Sequence, residues 1–391
     1  MSKQVRLGIV GIGNMGNGHL ANIRAGKLSR LQVTAICDSN PDQMAKYGDY
    51  KHFTDSKAMI RSGEIDAILV ATPHYDHTTI GIDALQQGLH VLVEKPLSVH
   101  KADCERLIAA YNKRPKKSQI FACMFNQRSD PKYIKLRELI QSGELGEIRR
   151  INWIITDWFR SEAYYASGGW RATWKGEGGG VLANQCPHNL DLMQWLFGLP
   201  KKVRAHAHFG KWHKIETEDA VTAYLEYPNG ATGVFITTTG EAPGTNRLEV
   251  AAERGRVVIE GGKISWTRNV QETTAYSRTT TQSFGRPETW NVEIPVHGNG
   301  GQHVTILQNF IDVILDGGTL MAPGVEGIHS VELGNSMILS SLLDKTIDLP
   351  MSGALYEKHL KKLIAGSKVK KVAPKKGKAG GADDFAKSYA R

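Results

Sequence analysis

The sequence predicts an α/β domain with a parallel sheet, followed by an α+β domain built on a large open, mostly antiparallel sheet. In the first third, short β-branched runs alternate with stretches of helical periodicity, which is typical of βαβ units. After about residue 145 the chain is rich in Thr, Val and Gly and alternates apolar with polar residues, as in AVTAYLEY and GVFITTT. That alternation indicates antiparallel strands with one covered face. The length of 391 residues also favours two domains over one.

Each element of the first domain is predicted from a local pattern. A β-branched strand over residues 5–10 leads into a Gly-rich turn and a helix that ends near residue 25. Ile80, Ala84 and Leu85 repeat at helical spacing within a predicted helix over 76–88. The other predicted strands cover residues 31–37, 66–70, 90–93 and 120–125. Because strands alternate with helices, we expect a parallel sheet with both faces covered.

The second domain is predicted to begin with a strand over 147–158 and a helix over 181–197. That helix carries apolar residues at i, i+3 and i+4 offsets. Antiparallel strands are expected through 203–296, and two amphipathic helices near 303–316 and 325–343 close the domain.

The positive charge of the chain is concentrated at its end. The net charge is +10, and residues 353–391 hold eleven Lys or Arg against three Asp or Glu. This Lys-, Gly- and Ala-rich segment predicts a flexible basic tail, with solubilisation favoured over weak contact with polyanions. The remaining body is almost neutral, so no specific nucleic-acid binding is expected.

Several protein classes are excluded by composition. No apolar run approaches the roughly 18 residues that a bilayer span needs, so no membrane association is expected. The first residues, MSKQVRLGIVGIG, do not resemble a secretion signal. The four cysteines are widely spaced and form no CxxC pair. Free thiols in a reducing cytoplasm fit this pattern better than disulfides or a zinc ribbon.

A phosphate-binding turn is predicted at Gly11-Ile-Gly13-Asn14-Met15-Gly16, between a strand and a helix. In such a turn the first glycine allows the tight bend, the second admits a pyrophosphate, and the third lets helix and strand pack closely. Asp38 follows the second strand, where a carboxylate hydrogen-bonds the ribose 2′-OH and repels a 2′-phosphate. The motif therefore predicts a Rossmann domain that binds NAD; the alternative is a Gly-rich turn in which Asp38 merely caps a helix.

Candidate catalytic residues follow later strands and lie on the predicted 181–197 helix. Lys95, between Glu94 and Pro96, is placed at the carboxyl end of a strand, where ligands of open parallel sheets bind. Asn184, His188 and Asp191 have i, i+4 and i+7 spacing, which predicts one polar stripe on a helix. We interpret that stripe as one wall of a cleft.

Together these motifs resemble the Gfo/Idh/MocA family of NAD(P)-dependent sugar and polyol oxidoreductases. The likeness covers about residues 4–350, through the glycine fingerprint, Thr72-Pro73 with His77, Glu94-Lys95-Pro96, and the Gly-triplet segment with His188 and Asp191. It also includes 126–128, which adds Asn126 to the expected cofactor contacts and Arg128 to the substrate contacts. The resemblance implies that Lys95 polarises the substrate hydroxyl, that His188 is the general base, and that Asp191 binds substrate or steadies the base.

One residue departs from the family pattern. Inositol-dehydrogenase-like members have Asp four residues before the histidine, and this chain has Asn184. A neutral amide can hydrogen-bond a sugar hydroxyl but cannot raise the basicity of its neighbours. The Lys–Asp–His relay is therefore expected to be incomplete.

An aromatic, Arg-containing segment over 153–175 precedes the proposed catalytic helix. Asp157, Tyr165, Arg171 and Trp174 are its candidate sugar contacts, and a packed loop or an oligomer contact is the alternative. His206, His208 and His213 lack Cys, Asp or Glu at ligand spacing, so plain strand histidines are favoured and no metal is predicted. His303 is placed either near the substrate or in a capping or interface contact.

Three functions remain open from the sequence. The first is an NAD-dependent cytoplasmic oxidoreductase that acts on a secondary hydroxyl or keto group of a sugar, glycoside or cyclic polyol. The second is a glycoside-cleaving or isomerising enzyme that oxidises and re-reduces its substrate with tightly bound NAD. The third is an NAD-binding sugar sensor without catalysis, against which Lys95 and His188 argue. A homo-oligomer, dimer or tetramer, is expected through the open sheet. The expected segments are an NAD-binding Rossmann domain (1–127), a substrate and oligomerisation domain (128–352) and the tail (353–391).

Overall fold

The computed structural model describes residues 4–367 and shows a six-stranded parallel sheet in its N-terminal part. The strands are β1 Val5–Val10, β2 Leu31–Cys37, β3 Lys51–Phe53, β4 Ala67–Val70, β5 His90–Val93 and β6 Phe121–Cys123. The helices are α1 Asn14–Arg24, α2 Ser56–Ile60, α3 His74–Gln86 and α4 Lys101–Asn112. The strand order β3-β2-β1-β4-β5-β6 reverses direction between β1 and β4. Ligands of such sheets bind at that reversal, beyond the carboxyl ends of the strands.

The second domain is built on a nine-stranded sheet of order β14-β13-β12-β11-β7-β10-β9-β8-β15. Neighbouring strands are antiparallel except β7 and β10, which are parallel. Its strands are β7 Ile148–Ile155, β8 Lys202–Phe209, β9 Glu218–Glu226, β10 Thr232–Thr238, β11 Asn246–Ala252, β12 Gly255–Glu260, β13 Lys263–Asn269, β14 Thr289–Ile294 and β15 Ile347–Asp348. The helices are α5 Pro131–Gln141, α6 Glu162–Ala166, α7 Val181–Asn184, α8 Pro187–Phe197, α9 Thr273–Thr279, α10 His303–Asp316, α11 Gly327–Leu343 and α12 Gly353–Gly366.

The two sheets lie in two separate hydrophobic cores. Along β8, β9 and β10, buried residues alternate with more exposed ones, so one sheet face is covered. Helix α10 packs into the N-terminal core through Ile306, Phe310 and Ile311, although it follows the large sheet in the chain. The predicted fold class is confirmed. The predicted first domain ends at residue 127, but the later helix α10 also packs into the first core.

The basic segment contains an ordered helix that composition did not predict. Ser352 caps α12 by accepting a hydrogen bond from the Leu355 amide, and Tyr356 and Leu360 are buried in the second core. The predicted start of the tail at residue 353 is therefore wrong, because an apolar helix face there packs against the body. The rest of that segment, 368–391, lies outside the described residues.

Two further observations concern the cysteines and the length of the apolar helices. All four cysteines are free and buried: Cys37, Cys104, Cys123 and Cys186. Within residues 4–367, no helix combines the length and apolar character needed to cross a membrane.

Candidate active site

The glycine-rich turn after β1 leaves open space at the start of α1. Gly11 has φ +89°, and a Cβ there would lie 2.6 Å from the Ala71 carbonyl oxygen. A Cβ on Gly16 would lie 2.0 Å from the Gly11 oxygen, so both positions require glycine. Around Gly13, by contrast, no atom from elsewhere in residues 4–367 lies within 4 Å of the place a Cβ would take, apart from its chain neighbours and the helix's own backbone. Because α1 begins there without a side-chain cap, its N-terminal amides favour a phosphate. Asn14 is exposed and Met15 partly exposed at the same edge.

Asp38 connects the end of β2 to this turn. One carboxylate oxygen accepts a hydrogen bond from the Ile12 amide at 2.8 Å, and the other accepts one from the Asn40 amide at 2.9 Å. The side chain is only partly buried, so it remains accessible beside the open cradle. A carboxylate in this place can accept hydrogen bonds from a ribose and repels a 2′-phosphate.

The turns after β4 and β5 are tied together by His77. Its two ring nitrogens lie 2.8 Å from the Pro96 carbonyl oxygen and 2.9 Å from that of Thr72. The ring is buried, so His77 positions these turns instead of lying open to a cofactor. Pro73 is exposed at the cap of α3.

Two buried oxygens near these turns have no hydrogen-bond partner within residues 4–367: Thr72 Oγ1 and Asn126 Oδ1. The Asn126 amide nitrogen donates to Gln302 at 2.8 Å, which fixes the side chain. Buried polar atoms of this kind are rare and are commonly satisfied by a ligand or water. Together with the cradle at Gly13, they fit NAD.

Lys95 and Glu94 follow β5 at the centre of the cleft. The Lys95 ammonium donates to the Asn184 carbonyl oxygen at 2.8 Å, and burial lowers the pKa of Lys95. Glu94 lies 2.7 Å from the His19 ring. Burial alone would raise the pKa of Glu94, but the hydrogen bond and charge of His19 lower it to about 2. Glu94 is therefore an anion that holds the turn, while Lys95 points towards the second domain.

His188 is the second buried group of the cleft. Its ring is 2% exposed, and among the described residues neither ring nitrogen has a hydrogen-bond partner. The ring meets Phe125 edge-on at 6.3 Å. Burial, and then the charge of Lys95, lowers the pKa of His188 well below its ordinary value. At neutral pH the imidazole is uncharged and able to accept a proton.

The stripe of three polar residues predicted on one helix is not present. The helix breaks after Asn184, and α8 begins at Pro187, so Asn184 and His188 belong to different helices. Proline is favoured at a first helical position because its missing N–H is not needed there. The break leaves the Asn184 carbonyl oxygen available to accept from Lys95, which brings Lys95, Asn184 and His188 together.

Asp191 and Arg128 pair with each other instead of facing a substrate. Arg128 Nε and Nη2 donate to the two Asp191 oxygens at 2.7 and 2.6 Å, and the residues are 1% and 0% exposed. Arg128 also contacts Glu326 at 2.5 Å. This pair joins the segment after β6 to α8, so both residues serve the junction of the domains.

Of the four candidate sugar contacts in the aromatic segment, Arg171 reaches the cleft. Tyr165 and Trp174 are buried elsewhere, and Asp157 is partly buried. Arg171 donates to Tyr164 Oη at 2.8 Å, and Gln185, beside Asn184, donates to the same oxygen at 3.1 Å. Trp174 packs against Phe209. The Tyr165 hydroxyl contacts Thr239 at 2.8 Å, and Asp157 accepts from Asn246 at 3.4 Å.

Three site residues were missed by sequence reasoning: Glu177, Tyr164 and Gln185. Glu177 immediately precedes the Gly triplet and is buried against Asn184. Glu177 lies seven residues before Asn184, but the Gly triplet separates it from the start of α7 at Val181, so helical spacing does not predict the contact and only the folded chain shows it. No group of three or more His, Cys, Asp or Glu in residues 4–367 has a metal-binding arrangement.

Comparison with family models decides the classification. Residues 5–121 match the oxidoreductase family model with an NAD-binding Rossmann fold, and residues 133–258 match the GFO/IDH/MocA C-terminal domain. The chain belongs to the Gfo/Idh/MocA family. The family, the fold and the NAD cofactor predicted from sequence are thereby confirmed, and the chain is an NAD-dependent oxidoreductase of this family.

Similar proteins support the same assignment. The chain is 26% identical over 282 residues to a myo-inositol 2-dehydrogenase of Thermotoga maritima, covering 69% of this chain and 77% of that protein. It spans about half the length of several other inositol 2-dehydrogenases that it matches. Two solved structures share the fold. They are the WlbA dehydrogenase of Bordetella pertussis with NADH and UDP-GlcNAcA (TM-score 0.75, 24% identity, covering 90% of this chain and 100% of that one) and a levoglucosan dehydrogenase with NADH and levoglucosan (0.74, 20%, with the same coverage).

Proposed function

We propose that this family member transfers a hydride between NAD and a secondary hydroxyl or keto carbon of a sugar, glycoside or cyclic polyol. The observation that carries the proposal is that a buried Lys95 ammonium and an uncharged His188 interact electrostatically in one cleft beside an NAD-binding cradle, and that neither His188 ring nitrogen has a hydrogen-bond partner among residues 4–367. The similar proteins act on cyclic, polyhydroxylated compounds by their names, namely myo-inositol and levoglucosan.

Each residue has a distinct task in the proposed reaction. NAD, when bound, supplies the hydride acceptor or donor at its nicotinamide ring. The Lys95 ammonium hydrogen-bonds the substrate oxygen and stabilises the negative charge that develops on it. A ring nitrogen of His188 takes the hydroxyl proton during oxidation and returns it during reduction. Asn184 and Arg171 offer hydrogen bonds to the remaining hydroxyls of the substrate.

The test follows absorbance at 340 nm with excess NAD⁺ and a panel of hexoses, glycosides and inositols. We expect a rise that continues past one equivalent of enzyme with at least one cyclic polyol or sugar. A rise that stops at one equivalent, with sugar released or isomerised, would instead support the chemistry that recycles tightly bound NAD. A flat trace for every substrate, in both the oxidation and keto-sugar reduction directions, would contradict the proposal.

Lys95→Met tests the catalytic role of the lysine, and Lys175→Met is its matched control. Because removal of a polarising or acid–base group typically costs about 10²–10⁴ in rate, we expect kcat to fall at least ~10²-fold. NADH binding, measured by fluorescence, should stay within about twofold. Lys175→Met, an exposed lysine in the neighbouring loop, should retain full activity.

A further inference from the structure

The cleft contains a buried carboxylate, that of Glu177, which none of the sequence motifs predicts. The Asn184 side-chain amide donates to Glu177 Oε1. The other Glu177 oxygen accepts from the Ala172 amide at 2.5 Å. Glu177 is 2% exposed, and its own carbonyl oxygen contacts His74 at 3.3 Å. The carboxylate is therefore fixed in place from both sides.

Asn184 links this carboxylate to the catalytic lysine. Its side chain donates to Glu177, while its backbone carbonyl accepts from Lys95 at 2.8 Å. The helix break before Pro187 makes this double contact possible. Glu94, the neighbour of Lys95 in sequence, directs its carboxylate to His19. The carboxylate on the second-domain side of Lys95 is thus that of Glu177.

The charges of this pair support each other against burial. Burial raises the pKa of Glu177, and Asn184, Arg171 and Lys95 act in the opposite direction. Burial lowers the pKa of Lys95, and the carboxylates of Glu94 and Glu177 oppose that shift. The other titratable groups that interact electrostatically with Lys95 include Arg160, Arg171, His74, Cys186, His188 and His303. Those that interact with Glu177 are Arg171, Glu218, Tyr164 and Tyr165.

We propose that Glu177 is a positioning residue: it holds Asn184 and supplies the negative charge that balances the Lys95 ammonium. The role in catalysis rests on the proposed function, because Lys95 must remain a cation to polarise the substrate oxygen. Glu177 acts through Asn184 and Lys95 and does not itself take the substrate proton.

Glu177→Gln tests the charge while keeping the size and an acceptor oxygen for Asn184. The first readout is the pH dependence of Lys95 acylation by acetic anhydride, followed by mass spectrometry of the full chain with NAD⁺ present. A nearby opposite charge shifts a pKa by roughly 1–3 units, so Lys95 should become reactive about one pH unit lower in the variant. This readout needs no substrate.

The second readout is the pH profile of kcat/KM with the substrate found for the wild type. Loss of the carboxylate lets Lys95 deprotonate earlier, so the alkaline limb should move down by about the same pH interval. Asn184→Asp combined with Glu177→Gln returns a carboxylate to the lysine and should restore both readouts. Glu260→Gln, on β12 and paired with Arg247, makes the same change in net charge and should leave both unchanged.

The outcomes separate the two proposals. Unchanged Lys95 acylation in Glu177→Gln, or failure of the double variant to restore it, would overturn the role of Glu177. If acylation of Lys95 shifts in Glu177→Gln but the wild-type enzyme turns over no substrate, the Glu177–Lys95 pair would be supported and the proposed function contradicted.

Discussion

At the scale of single residues, His188 has buried hydrogen-bonding atoms that a substrate could satisfy. Leaving a buried donor or acceptor unpaired costs about 1–3 kcal/mol, and the His188 ring has two such nitrogens within the described chain. A substrate hydroxyl would satisfy one of them. The same burial that makes the unpaired ring nitrogens destabilising also lowers the pKa of His188 and keeps the ring uncharged beside Lys95.

The pKa of His188 leads to a prediction for the oxidation reaction. The base must be neutral, and because its pKa is lowered, neutral imidazole persists to more acidic pH than for an exposed histidine. We therefore expect the acid limb of kcat/KM that is due to His188 to lie below pH 6.5, the ordinary histidine value. Stopped-flow or steady-state rates from pH 5 to 9 measure it. His188→Gln should lower kcat at least ~10²-fold and remove that limb. An unaltered profile in this variant would show that another group is the base.

Asp38 leads to a prediction for coenzyme choice. Its carboxylate faces the cradle and is held by the amides of Ile12 and Asn40. In Asp38→Ala, a ribose hydroxyl loses its acceptor and a 2′-phosphate loses its repulsion. We expect the preference for NAD⁺ over NADP⁺, measured as the ratio of kcat/KM values, to fall by about tenfold or more. Asp42→Ala, an exposed aspartate after β2, is the control. An unchanged ratio would rule out contact between Asp38 and the ribose.

At the scale of secondary structure, the site depends on a discontinuity between α7 and α8. Apolar periodicity alone predicts one helix over 181–197, and the apolar pattern contains no sign of the break. Pro187 was the available signal, since proline at a first helical position marks a helix start. The outer ends of the predicted helix are correct, but periodicity misses the interruption at residues 185–186. The break leaves the Asn184 backbone oxygen free to accept a hydrogen bond from Lys95.

Helix α12 shows how charge patterning can hide an ordered element. Eleven cationic residues dominate 353–391, but Tyr356 and Leu360 repeat at i and i+4 and form a buried face. The helix also packs against α4 of the first domain, where Arg106 and Glu357 form an ion pair.

This packing predicts unequal effects for two leucines of α12. Leu360 is 2% exposed and Leu355 is 37% exposed. Leu360→Ala removes buried methyl groups and should lower the free energy of unfolding by roughly 2–5 kcal/mol. Leu355→Ala should change it by no more than about 0.5 kcal/mol. Urea denaturation of both variants provides the comparison, and equal, small effects would show that α12 contributes little to the fold.

At the scale of the whole molecule, periodicity and motifs predict local elements well and distant contacts poorly. The parallel sheet, the glycine turn and the placement of Lys95 follow from strand–turn–helix patterns. The return of α10 to the first core and the pairing of Arg128 with Asp191 join residues far apart in sequence. No local pattern encodes those contacts. The resemblance implied that Arg128 contacts substrate and that Asp191 binds substrate or steadies the base, and it did not predict that the two residues pair with each other.

The Arg128–Asp191 pair predicts a stability effect without a catalytic one. Breaking a buried ion pair by neutralising one partner typically costs about 3–5 kcal/mol, because the remaining charge is left buried. Glu326 still contacts Arg128, so Asp191→Asn should lower the free energy of unfolding by about 3 kcal/mol, near the lower end of that range. The activity of the folded enzyme should stay within about threefold, since Asp191 does not face the cleft.

Thermal denaturation and kcat/KM at a temperature where the variant is folded test both parts. Glu138→Gln is the matched control, because it removes one negative charge from the exposed ion pair with Lys135. Exposed pairs contribute about 0–1 kcal/mol, so its melting temperature should remain close to that of the wild type. A melting temperature equally unchanged in Asp191→Asn would contradict the structural role of the pair. A loss of ~10²-fold in kcat/KM with normal folding and NADH binding would place Asp191 in the substrate site.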